Sequence, residues 1–119
     1  MKKIFYRKLI RDKIPAKMTR VGAAYQVRKL GKKEFEKELL KKASEEASGL
    51  LTAKNRNELV EELADVLDVV EEIKRVKKIK TSEIQRMQKE NARQKGGFQK
   101  RIYLVWSKDD GYKTNERKG

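Results

Sequence analysis

The sequence predicts a mainly α-helical domain, an antiparallel helix hairpin with further helices and a small two-stranded β ribbon. Three observations lead there. Apolar residues recur at three- and four-residue spacing through two long central segments, as on the buried face of an amphipathic helix. Turn-forming residues are confined to a few places, chiefly Gly31, residues 54–57 and Gly96-Gly97, with a single Pro in the chain. The 119 residues are 42% charged and 37% hydrophobic, too charged to span a membrane and too apolar to stay unfolded. A chain of this size is one domain with one modest core. We place it at residues 1–107, followed by a polar, flexible tail at 108–119.

The stretch 11–20 is compatible with a short helix, because Pro15 is tolerated in a first turn. Residues 24–28 alternate weakly and read as a strand. The first long helix is expected over 33–53, with Phe35, Leu39, Leu40, Ala43, Ala47, Leu50 and Leu51 on its apolar face. Asn57 is the expected N-cap of the second, and Glu58 and Glu61 suit its positive end. Its apolar stripe is the cleanest in the chain: Leu59, Leu63, Val66, Leu67, Val70 and Ile73. Lys74, Arg75, Lys77 and Lys78 gather at its C-terminal end. Thr81 or Ser82 caps a third helix through Ile84, Met87 and Ala92, which Gly96-Gly97 stops. Residues 101–106, rich in β-branched and aromatic types, read as a second strand able to pair with 24–28.

Composition narrows the chemistry. There is no Cys, so disulfides and Cys-ligated metals are excluded, and no His, which removes Ser-His-Asp and Cys-His catalysis. Carboxylates, lysines, arginines, hydroxyls and a hard cation such as Mg2+ remain. Arg7, Lys8 and Arg11 interrupt any apolar export signal near the start, and no run is long and apolar enough for a membrane span. The expected location is the cytoplasm.

A net charge of +14 and a pI near 10.0 point to a polyanionic partner. The charge is unevenly spread: residues 34–72 hold 12 of the 18 acids and only 5 of the 32 bases. Two readings fit that contrast, a solvated acidic helix pair or a cation held within a basic surround for a phosphorylated ligand. Glu62 and Asp65 are spaced to project from one side of a helix, at the margin of its apolar stripe. A chain reversal near Lys54-Asn55 sets Glu46, beside Glu45, opposite the Glu62 level. Carboxylates meeting there repel unless a divalent cation or lysines offset them. Mg2+, which takes oxygen ligands and keeps waters and phosphate oxygens in its shell, is the natural candidate.

Glu45-Glu46-x-x-Gly49 followed by Glu62-Leu63-Ala64-Asp65 resembles the all-α nucleoside triphosphate pyrophosphohydrolase superfamily. This is the MazG-like, phosphoribosyl-ATP pyrophosphohydrolase-like group, with its signature E-E-x-x-E then E-x-x-D. The opening Tyr6-Arg7-Lys8-Leu9-Ile10-Arg11-Asp12-Lys13-Ile14-Pro15 is similar to the Y-x-K-L-V-R-D-K-I-P of a small house-cleaning branch. Gly96-Gly97-Phe98-Gln99-Lys100-Arg101-Ile102 is similar to that branch's closing G-G-F-x-x-x-I. Together the motifs span most of the chain in matching order.

The resemblance implies Mg2+-dependent cleavage (Mn2+ as a substitute) of a nucleoside triphosphate to a monophosphate and pyrophosphate. It implies an oligomeric helical bundle, a homodimer or dimer of dimers. Carried over by position, Glu46, Glu62 and Asp65 are metal ligands, with Glu45 beside them in the catalytic set. Charge and motif position make Lys8, Arg11, Lys13, Arg93, Lys95 and Arg101 candidates to meet phosphates. One departure stands out: Gly49 occupies a position that is acidic in the family, and Asp68, one turn beyond Asp65, is the acid nearest at hand to compensate. Two rival readings follow, a non-catalytic nucleotide-binding protein favoured by Gly49 and a basic nucleic-acid-binding module favoured by charge alone. The cluster at residues 74–80 is a candidate for nucleic-acid phosphates or a solvated helix end. Phe98, Tyr103 and Trp106 suit core or interface packing, or stacking on a base.

Overall fold

The computed structural model describes residues 2–108, so the tail expected at 108–119 lies, apart from Lys108, outside the described residues. The chain is mainly helical and divides into two compact units, Met1–Ile84 and Gln85–Gly119. Four α-helices are described: α1, Ile14–Arg20; α2, Lys32–Ser48; α3, Arg56–Lys77; and α4, Thr81–Lys95. Pro15 falls in the first turn of α1, where its missing N–H costs nothing.

The first unit is organised by α2 and α3. An ion pair at one end and a meeting of side chains at the other show that they run antiparallel. Lys77, at the end of α3, reaches Glu36, near the start of α2, at 2.9 Å. Glu46, near the end of α2, meets Glu62, early in α3. Residues 33–53 do not form one helix. The α-helix stops at Ser48, and Gly49–Thr52 tighten into a 3-10 turn before Ala53 extends. The Ser48 hydroxyl donates to the Glu45 carbonyl at 2.6 Å and that of Thr52 to the Gly49 carbonyl at 3.0 Å. The Glu45 carbonyl is one of the last four of α2, which a helix end leaves without an intrahelical partner.

The N-cap of α3 is Asn55, two residues before the expected Asn57. Asn55 alone has the extended backbone a cap requires, and its side chain accepts the Glu58 N–H at 2.9 Å. The Glu58 carboxylate returns the contact, accepting from Asn55 Nδ2 at 3.0 Å. At its far end α3 closes with Lys78 in the left-handed region, φ 56°, while the Ile79 N–H reaches the Lys74 carbonyl at 2.9 Å. In α4, Thr81 is the first helical residue, and the Glu83 carboxylate takes the Lys80 N–H at 2.7 Å.

No strand occurs among the described residues, so the expected ribbon of 24–28 and 101–106 is not formed in this single chain. Short segments with one exposed face each gain too little from pairing alone. Tyr25 is instead held by the Thr19 hydroxyl at 2.7 Å, and Arg28 forks onto Glu34 at 2.6 and 3.0 Å. Phe98, Tyr103 and Trp106 are exposed rather than packed.

The core is thin. Leu39 of α2 and Val69 of α3 are the only buried apolar side chains among the described residues. Leu59, Leu63 and Leu67, expected to point inward, form an exposed row along α3; Leu67 is 62% accessible. One helix cannot cover an apolar stripe wider than its own contact surface.

Capping at Asn55 sets a stability prediction. Asn55→Ala should cost about 1 kcal/mol in urea unfolding, and Asn57→Ala should change little.

Candidate functional site

The closed end of the α2–α3 hairpin gathers carboxylates. Glu46 from α2 and Glu62 and Asp65 from α3 each offer an oxygen, and the three oxygens lie within 4.8 Å of one another. The short Gly49–Asn55 connection sets the helices in this register. Spacing along α3 then turns Glu62 and Asp65 to the same side. All three are partly shielded from solvent.

Cations from two places offset this charge. Lys42, one turn before Glu46 on α2, lies 3.2 Å from Glu46 and 3.5 Å from Glu45. The irregular segment before α1 supplies the others. Lys8 Nζ donates to Glu45 Oε1 at 2.9 Å. Arg11 forks, with Nη2 on Asp65 at 2.9 Å and Nη1 on Asp68 at 2.8 Å. The hydrogen bond from Lys8, with help from Lys42, holds the Glu45 carboxyl below its usual range, and Glu45 in turn raises Lys8. Arg11 is raised chiefly by its hydrogen bond to Asp68.

The residues singled out from the sequence thus fall into three groups. Glu46, Glu62 and Asp65 converge. Glu45 stands beside them, engaged by Lys8 and Lys42, and Asp68 holds Arg11. Lys8 and Arg11 sit against the acids. Lys13, at the N-cap of α1, makes no ion pair among the described residues. Arg93, Lys95 and Arg101 belong to the second unit, where Arg93 is paired with Glu90. Three cations of the 74–80 cluster are committed within the molecule: Lys74 to Glu71, Arg75 to Glu72 and Lys77 to Glu36.

The sequence reading passed over Lys42, although its spacing from Glu45 and Glu46 was a usable signal. It also missed an open cleft beside the carboxylates, between the segment before α1 and α2. Tyr6, Arg7 and Lys8 form one wall, and Lys41 and Lys42 the other. Lys8 lies over the Tyr6 ring, 5.7 Å from its centre.

The donor set suits a hard divalent cation. Around Mg2+, adjacent ligand oxygens are about 3.0 Å apart and opposite ones about 4.2 Å, given its ~2.1 Å bonds in an octahedron. Compared with protein-family models, curated proteins and solved structures, the chain matches none.

The Lys8–Glu45 pair gives a pH dependence. Because Glu45 is held low in the fold, the stability it contributes is complete above the ordinary value of 4.5 and is lost as pH falls through the lower folded value. Lys8→Met should therefore show a smaller drop in Tm than the native protein on acidification from neutrality to below the folded value.

Proposed function

We propose that the protein is a Mg2+-dependent nucleoside triphosphate pyrophosphohydrolase of the MazG-like kind, converting a nucleoside triphosphate and water to a monophosphate and pyrophosphate. The observation that carries the proposal is the convergence of Glu46, Glu62 and Asp65 on one point from two antiparallel helices. Paired acids on exposed helices are common, but these three residues are also the ones the sequence resemblance assigns to metal. The cleft beside them is lined by Arg7, Lys8, Lys41 and Lys42 as well as Glu38 and Glu45, so its walls carry an excess of positive charge that suits a phosphorylated ligand.

In this reading Glu46, Glu62 and Asp65 hold Mg2+, which supplies a Lewis acid and a water of lowered pKa. Glu45 lies next to that set, where a carboxylate can orient the water or accept its proton. Lys8, Arg11 and Lys42 stabilise the acids in the metal-free protein, and with a metal bound their charge becomes available to phosphate oxygens. Lys13 is a proposed phosphate contact from its motif position. The role is house-cleaning of nucleotides in the cytoplasm.

The working form is proposed to be a homodimer or dimer of dimers. The uncovered Leu59, Leu63 and Leu67 row supports this, since these half-exposed leucines, covered by a partner helix, each gain roughly half of the 1.5–3 kcal/mol of a full burial. Gly49 favours a second reading, a nucleotide-binding protein without turnover, because the family's acid is missing at that position.

Two measurements test these proposals. A panel of nucleoside triphosphates with Mg2+ or Mn2+ should yield pyrophosphate, with release abolished by EDTA and reduced at least ~100-fold in Glu62→Gln. Nucleotide binding without release would select the second reading, and tight duplex binding with neither would reject both. In light scattering, the native chain should run as a dimer or larger, and Leu63→Glu/Leu67→Glu as a monomer of unchanged helix content.

A further inference from the structure

We infer that Gly49 is a positioning residue for Glu62: its missing side chain leaves a hollow at the end of α2 in which the Glu62 carboxylate rests, beside Glu46 and Asp65. Its purpose rests on the metal reading above; its substance is geometric.

The backbone does not demand a glycine here. Gly49 has φ −64° and ψ −22°, ordinary right-handed values that any residue adopts. Alanine would be the better helix former at such a position, so the residue works against local propensity. What glycine contributes is room. A Cβ built on Gly49 would overlap Glu62 Oε2 and stand 2.8 Å from Glu62 Cδ. Among the five described glycines, Gly22, Gly31, Gly96 and Gly97 would all place a Cβ in open space. Gly49 alone is filled by a neighbour, and that neighbour is one of the three converging acids.

Glu62 is also the member of the trio with the least to hold it. Glu46 has Lys42 and Asp65 has Arg11, but Glu62 makes no ion pair among the described residues. Its carboxylate is therefore placed by the space it can enter. A side chain at position 49 would claim that space and turn Glu62 away from the other two acids. It follows that an acid at position 49 and the present placement of Glu62 exclude each other. In the present chain the cluster is set by three carboxylates, with Glu62 using the space at position 49.

Mn2+ binding, followed by the EPR signal of the free ion, and Tm without metal together test this on the full chain. Gly49→Ala should bind Mn2+ at least ~10-fold more weakly than the native protein, the usual cost of disturbing a ligand's support. Ser48→Ala, at the same helix end, should bind as the native chain does. Without metal, Gly49→Ala should raise Tm more in a Glu62→Ala background than in the native one, because the Glu62 carboxylate is the nearest obstruction to the new methyl group. Native-like Mn2+ affinity in Gly49→Ala would overturn the inference. So would weakened affinity with equal Tm increments in the two backgrounds, since the loss would then not pass through Glu62. If the native protein binds no Mn2+, the metal reading fails by itself. The Tm comparison then decides alone: unequal increments sustain the placement of Glu62 by Gly49, and equal increments overturn it.

Discussion

Everything at the closed end of the α2–α3 hairpin is arranged around the mutual repulsion of its carboxylates. Two unit charges within 4.8 Å repel by about 1 kcal/mol in water and several times more where the dielectric constant falls. Apolar contact across a two-helix hairpin with Leu39 and Val69 as its buried core has little to set against that. The opposition is electrostatic instead. Lys42 offsets Glu46 from within α2, and Arg11 offsets Asp65 from the segment ahead of α1. The path of that segment is thus a consequence of the acids: Lys8 and Arg11 bind it to both helices at once, Lys8 through Glu45 and Arg11 through Asp65 and Asp68.

Much of this could be read from the chain itself, and the limits have physical causes. Helices α2, α3 and α4 were legible because apolar spacing repeats over many residues. Their ends were less so. Asn55 and Asn57 are the same residue type, and only the extended backbone at Asn55 makes it the cap. The 3-10 turn at Gly49–Thr52 preserves the apolar spacing of a helix while narrowing its winding. The strands at 24–28 and 101–106 were inferred from residue preference, which reports a fit to a half-buried sheet surface and supplies no partner.

The candidate site divides in the same manner. Spacing within α3 and a short reversal suffice to bring Glu62 and Asp65 opposite Glu46. The hollow at Gly49 depends on how one side chain crosses between helices, which no one-dimensional pattern encodes. From the sequence, Gly49 reads as the loss of an acid; in three dimensions it is the space that a different acid fills.

The fork of Arg11 onto Asp65 and Asp68 has one more consequence, for ionic strength. All the pairs that bind the leading segment to the hairpin are at least partly open to solvent, and Arg11 is 61% accessible. At about 1 M salt the screening length is roughly 3 Å, comparable to the separations themselves. The same salt that loosens the segment also screens the carboxylates from one another, so the two losses partly offset. Dilute buffer strengthens both the pairing and the repulsion. The order of the segment around Lys8 and Arg11 is therefore tied to the ionic medium more closely than the helices are, and access to the acids varies with the salt around them.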